Sequence, residues 1–233
     1  MSAAVSTLSP TTRFYQASLG KKTAMAVTGC ILFLFVVGHM IGNLQIYMGP
    51  EQLNAYGAKL RALGPLLWAA RAFLLLTVAV HLVSAAQLWL MNRRARPVSY
   101  MKHGWVQASF ASRTMYVSGP VIAGFIVYHL LHFTTGHCLT GGLSMLPDGH
   151  IDVYSNVVRG FSYVPASLVY IASMLVLGFH LSHGVWSMFQ TVGANHPHYM
   201  PWVRGFATVA TVIIAAGNIS IPVAVLAGVL GPR

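Results

Sequence analysis

Acidic side chains are almost missing from this sequence: Glu51, Asp148 and Asp152 are the only three, against 14 lysines and arginines and a formal charge of +11 over 233 residues. Charge of either sign is scarce, at 7% of positions. Cysteine is nearly absent as well. Cys30 and Cys138 make no zinc spacing, no Cys-x-x-Cys and no Cys-x-x-Cys-His, which excludes covalent attachment of a c-type haem and gives no expectation of a disulfide. There is no dinucleotide fingerprint and no tandem repeat. Residues 1 to 20 carry polar groups, Pro10 and Arg13 without an apolar core ending in a small-residue cleavage site, so they read as a cytoplasmic tail and not as a signal peptide.

What is abundant is apolar. Hydrophobic residues make up 56% of the chain, outside the ordinary soluble range and inside that of membrane proteins. About 20 apolar residues cross a hydrocarbon core roughly 30 Å thick, and the sequence supplies five such runs, at 24–47, 65–91, 114–135, 163–190 and 203–230. The expected fold is an all-α membrane protein, one integral domain over 1–233. Gly38, Gly42, Gly124 and Pro222 inside these runs do not argue against helices, because small residues let transmembrane helices or a flat ligand approach closely. The loops 49–64 and 136–162 are long enough for short surface helices or a lid, and Gly141, Gly142, Pro147 and Gly149 mark turns in the second.

Basic residues set the orientation. Arg13, Lys21 and Lys22 precede span one, Arg93, Arg94, Arg96, Lys102 and Arg113 lie between spans two and three, and Arg204 follows span four. All three acids lie on the opposite side, so the N-terminus is expected in the cytoplasm and the C-terminus outside. In such a chain basic residues report topology before they report an acidic partner, and nucleic acid is not the partner they point to.

Histidines inside the spans then fall at two depths. His39 and His129 each lie 15 residues into outward-running helices, about 22 Å from the cytoplasmic edge. His81 and His180 lie 16 and 17 residues into inward-running helices, about 5 Å from that edge. Ionisable groups at such depths are usually functional. Two pairs of imidazoles about 16 Å apart along the membrane normal suit two bis-histidine haems, whose filled axial positions favour electron transfer over oxygen chemistry. Single intramembrane histidines more often bridge helices by hydrogen bonds, and it is the pairing by depth that favours ligation. His132 and His183, each three residues past one of the four, remain candidates from spacing alone. Gly38, Gly42, Ser84 and Gly124 are small enough to admit a porphyrin or, equally, to mark helix contacts.

Ser-Leu-Gly-Lys-Lys at 18–22, Gly-His-Met-Ile-Gly-Asn-Leu at 38–44, Asn-Ala-Tyr at 54–56, Ser118-Gly119 with His129 ten residues on, and the Gly178–Phe189 stretch occur in an order and spacing that carry a resemblance over nearly the whole chain. It resembles the five-helix, two-haem cytochrome b subunit of succinate:quinone oxidoreductases, the single-anchor type of bacterial succinate dehydrogenases and fumarate reductases. The resemblance implies a four-helix core enclosing two stacked b haems, with a fifth peripheral helix. It assigns His39, followed by Asn43, and His129 to the distal haem. His180, four residues before Gly184, and His81 take the haem proximal to the cytoplasmic subunits, which leaves His132 and His183 unbound.

Similarity of position suggests Arg159 for the distal propionates and Ser112 or Arg113 for the proximal ones. Arg71, inside span two and in need of a partner, is a further propionate candidate, and Glu51 is the candidate at the quinone. Gly178 departs from those family members that carry a glutamate there, which puts their transmembrane proton route in doubt.

The function implied is the relay of electrons between a cytoplasmic iron–sulfur subunit and membrane quinone, menaquinone being the expected species, in a bacterial cytoplasmic membrane. No catalytic residue for dicarboxylate chemistry is expected here: the FAD and the iron–sulfur clusters belong to the flavoprotein and iron–sulfur partner subunits. Lys21, Lys22, Arg93, Arg94 and Lys102 are candidates for docking the latter by charge complementarity. Two alternatives share some of these features, the cytochrome b of a hydrogenase or formate dehydrogenase and a histidine-lined metal or proton transporter.

Overall fold

A backbone in hydrocarbon has only itself to satisfy its N–H and C=O groups, so apolar runs of this length must be helical. In the computed structural model, which describes residues 9–95 and 109–231, they are. Eight helices occur among the described residues: α1 (Pro10–Gln16), α2 (Ser18–Leu44), α3 (Pro50–Ala62), α4 (Pro65–Arg94), α5 (Phe110–His129), α6 (Val153–Ser162), α7 (Val164–Thr191) and α8 (Met200–Leu226). Five of these, α2, α4, α5, α7 and α8, are long and apolar enough to cross a membrane. An isolated bridge between Met145 and Ile151 is the only β pairing among the described residues. Leu34, Leu66, Leu76, Val127 and Leu168 point outward and exposed, as lipid-facing side chains do. The chain is an all-α, multi-pass membrane protein.

Hydrogen bonding and hydropathy end at different residues. The first span starts at Ser18, six residues before its apolar run, because the helix continues through Lys21 and Lys22. The fifth occupies 200–226 instead of 203–230 and turns at Gly228, whose φ of 73° lies in the left-handed region that stops helices. Arg96, Lys102 and Arg233 lie outside the described residues.

Part of the expected tail is the helix α1, capped by the Ser9 hydroxyl and started by Pro10. It folds back on α2 so closely at Gly20 that a Cβ there would strike the Phe14 carbonyl. Lys21, a candidate docking cation in the sequence, is buried instead, and its Nζ donates to the carbonyls of Tyr15 and Gln16 at 2.9 and 3.0 Å. An amine at the lipid boundary finds the unpaired carbonyls at the end of α1 closer than water.

Packing divides the bundle unevenly. α2 runs along α4, α7 and α8, and α7 runs along α5 and α8; neither α2 with α5 nor α4 with α7 is a packed pair. The contiguous buried core lies at the end of the bundle that carries α3 and α6, the end expected to face outward, where Tyr154, Val158 and Phe161 of α6 pack on Ile46, Leu53, Tyr170, Ile221 and Val225. Asn54 clamps α3 to the start of α6, donating to Asp152 Oδ1 and accepting from Tyr154 N, both at 3.0 Å. Asp152 itself caps α6 by accepting from Ser155 N.

Burial pushes the Asp152 carboxyl up, but hydrogen bonds from Ser155 and Asn54 and the charge of Arg159 outweigh it and hold the group below the usual carboxylate range. A depressed folded-state value gives stability that is present above the unfolded value of about 3.9 and is lost as pH falls through the folded one. Asp152→Asn, which keeps a capping side chain, is expected to flatten this acid dependence. Asp152→Ala also loses about 1 kcal/mol of cap stability. Thermal unfolding in detergent between pH 3 and 7 reads both effects.

Candidate functional site

Four helices turn one imidazole each into the bundle. His39 of α2 and His129, the last residue of α5, face each other with ring centroids 5.7 Å apart and planes at 87°. His81 of α4 and His180 of α7 do the same at 6.5 Å and 58°. Each pair bridges two helices that do not pack on one another. Two metal–imidazole bonds of about 2.0 Å, with the half-rings beyond them, put bis-imidazole centroids about 6 Å apart, so both pairs have the spacing of axial ligands.

Contacts between helices give the separation of the two levels three times over. Thr28 of α2 is hydrogen-bonded to His81, and His39 lies eleven residues further along. Ser118 of α5 is bonded to His180, eleven residues before His129. Tyr170 of α7 is bonded to His129, ten residues before His180. Each path is about 15 Å along a helix.

These hydroxyls also define which nitrogen of each ring is available. Thr28 Oγ1 donates its proton to the Ala24 carbonyl at 2.7 Å, so it accepts from His81 Nδ1 at 3.0 Å. Ser118 Oγ donates to the Met115 carbonyl and accepts from His180 Nδ1 at 3.0 Å. With the proton on Nδ1, Nε2 carries a free lone pair. The Tyr170 hydroxyl lies 3.1 Å from His129 Nδ1 and 3.2 Å from His132 Nδ1. Having one proton, it donates to one ring and accepts from the other. His39 stacks on Phe35, centroids 5.4 Å apart.

His132 and His183 sit differently. His132 is buried beneath α6, stacked on Phe133 at 4.1 Å and on Tyr128 at 5.4 Å. It reaches Tyr170 because α5 ends in a widened π turn, Leu130–Thr134. His183 meets Trp186 edge-on, and its Nδ1 is buried without a hydrogen-bond partner. Among the described residues no three His, Cys, Asp or Glu side chains converge as they would around a caged metal ion.

The small residues separate into two kinds. Gly42 is pressed against Tyr56, whose hydroxyl would lie 2.6 Å from a Cβ, and Ser84 is fully buried 3.3 Å from the Tyr15 hydroxyl, so both serve packing. Gly38, Gly119, Gly124 and Gly184 border open space; Gly119 and Gly184, half-buried, leave room beside the inner pair and between the helices. Gly178 faces α8, 3.6 Å from Thr211 and 3.7 Å from Ala215 at the Cβ position. An acid there would press into a helix contact.

Ser112 and Arg113 lie in the first turn of α5, where Ser112 donates its hydroxyl to the Ser109 carbonyl. Arg159 on α6 donates Nη2 to Gly142 O and to Asn156 Oδ1, and so helps to close the loop 136–152, while its Nε is buried and unpartnered. Glu51 is exposed in the first turn of α3. Arg71 lines a cavity of about 180 Å³ together with His39 and Arg61.

Thr28, Ser118, Tyr170 and Arg61 have no role at the site in the sequence-based reading. Only Ser118 carries a signal there, through its place in the Ser-Gly motif. No family model, no curated protein and no solved structure matches this chain.

Proposed function

We propose that this chain is the di-haem cytochrome b anchor of a succinate:quinone oxidoreductase, relaying electrons between a cytoplasmic iron–sulfur subunit and quinone in a bacterial cytoplasmic membrane. The observation that carries the di-haem part is the arrangement of His39 with His129 and His81 with His180 as two facing pairs on four helices. The choice of succinate:quinone chemistry rests on the motif order along the chain. Haem b with imidazole on both faces exchanges single electrons and offers no open coordination site.

The protein's part is to hold and orient. Thr28 and Ser118 fix the proton of His81 and His180 on Nδ1 and present Nε2 to the gap. In the same scheme His129 donates Nδ1–H to Tyr170, and Tyr170 donates to His132, whose buried ring serves as the last acceptor. Unpacked helix pairs and the space beside Gly119 and Gly184 leave room for the macrocycles. The aromatic cap under α6 keeps water from the outer pair.

In the purified protein, His180→Ala is expected to lose one of two low-spin haems while His183→Ala keeps both; the reverse outcome would overturn the ligand assignment. Ser118→Ala, which removes the acceptor that orients His180, is expected to weaken retention of the inner haem about 10- to 100-fold, read as haem loss on dilution in detergent. In the assembled complex succinate is expected to reduce both haems. If only hydrogen or formate does so, the di-haem reading stands and the succinate assignment fails.

A further inference from the structure

The cavity beside His39 holds two arginines and no acid. It lies between α2, α3 and α4, and Asn43, Tyr56, Arg61 and Arg71 line it with His39 beneath Val153. Arg71 is six residues into α4, about 9 Å below the outer end of that helix, and His39 is five residues from the end of α2, about 8 Å below. Guanidinium and imidazole therefore share a level. Arg61 reaches the same space from the last turn of the surface helix α3.

The charge here is uncompensated. Arg61 Nη1 is buried with no hydrogen-bond partner. Burial, and then the neighbouring charge of Arg71, make its cation less favourable than usual. Asp152 is held by Asn54 and Ser155, Asp148 accepts from its own loop at His150 N, and Glu51 is exposed at the opposite end of α3. Arg71 lies over the Trp68 ring, 4.9 Å from its centroid, which only partly offsets a cation at this depth. Two like charges with a buried, unpartnered guanidinium nitrogen at the hydrocarbon boundary call for an anion, and the planar fork of arginine matches a carboxylate. Gly42 admits Tyr56 against α2 and so brings a hydroxyl to the same rim.

We infer that Arg61 and Arg71 form a carboxylate clamp for the propionates of the haem at His39 and His129, Arg61 donating from its unpartnered Nη1. The clamp rests on the di-haem reading and extends it to a residue on a surface helix, so that α3 closes the outer site as well as covering it. Two propionates balance two guanidiniums, and each arginine then neutralises the other's cost.

Redox titration of the purified holoprotein, haem by haem, tests this. Arg61→Gln and Arg71→Gln are each expected to lower the midpoint potential of the outer haem, because a lost positive charge favours the oxidised form, and to leave the inner haem unmoved. Arg61→Lys is expected to restore most of the shift, and the double glutamine variant to retain one haem per chain in detergent. Arg61→Gln touches only the surface helix, which keeps the test open should Arg71→Gln fail to fold. Unmoved potentials with two haems retained overturn the clamp, as do equal shifts of both haems, which mark a general structural change. Loss of quinone reduction without any shift also overturns it and gives the cavity to quinone. Wild-type protein without haem overturns the di-haem reading itself, an outcome distinct from all of these.

Discussion

An imidazole in hydrocarbon has two nitrogens and no water, so each ring must find partners inside the protein. That requirement organises this bundle. Thr28 takes the Nδ1 side of His81, Ser118 that of His180, and Tyr170 that of His129. In each case the hydroxyl comes from a helix packed beside the one that carries the ring: α2 beside α4, α5 beside α7, and α7 beside α5. Each ring faces a second ring on a helix that does not pack against its own. Helix packing and site geometry are therefore one arrangement: the packed pairs supply the hydrogen bonds and the unpacked pairs supply the gap.

Stability and site meet at Tyr170. Its ring belongs to the buried core under α6, with Phe161 at 4.9 Å and Phe125 at 5.0 Å, and its hydroxyl joins His129 to His132. The contiguous apolar core lies at this end, where Asn54 and Asp152 join α3 to α6, and α6 lies on α7 and α8. Arg61 ties the same outer cap to the charge balance of the site, since it sits on α3, the helix that Asn54 clamps to α6.

Five spans and the two levels of histidine are legible in the sequence because the rise per residue and the thickness of a bilayer are fixed quantities. Counting from the start of each apolar run places His39 with His129 and His81 with His180, and the rings of each pair meet in the structure. What the sequence hides is set by contacts between distant residues. Lys21 reads as a docking cation but turns onto the carbonyls of α1, a helix that seven polar and aromatic residues do not announce. Gly42 and Ser84 are as small as Gly38 and Gly124, yet only the facing helix reveals that Tyr56 and Tyr15 fill the space beside them. The π turn after His129 carries no residue signature, and without it His132 has no path to Tyr170. Nothing in the sequence marks Arg61 until α3 folds over His39.

Everything in the proposed relay depends on what lies between the facing imidazoles. Haem quantification by the pyridine haemochrome method on the purified wild-type chain, with electron paramagnetic resonance of the oxidised sample, addresses that directly. Two b haems per chain, both low-spin with bis-imidazole signals, are predicted. A chain that is folded in detergent and carries no haem b would contradict the account at its centre.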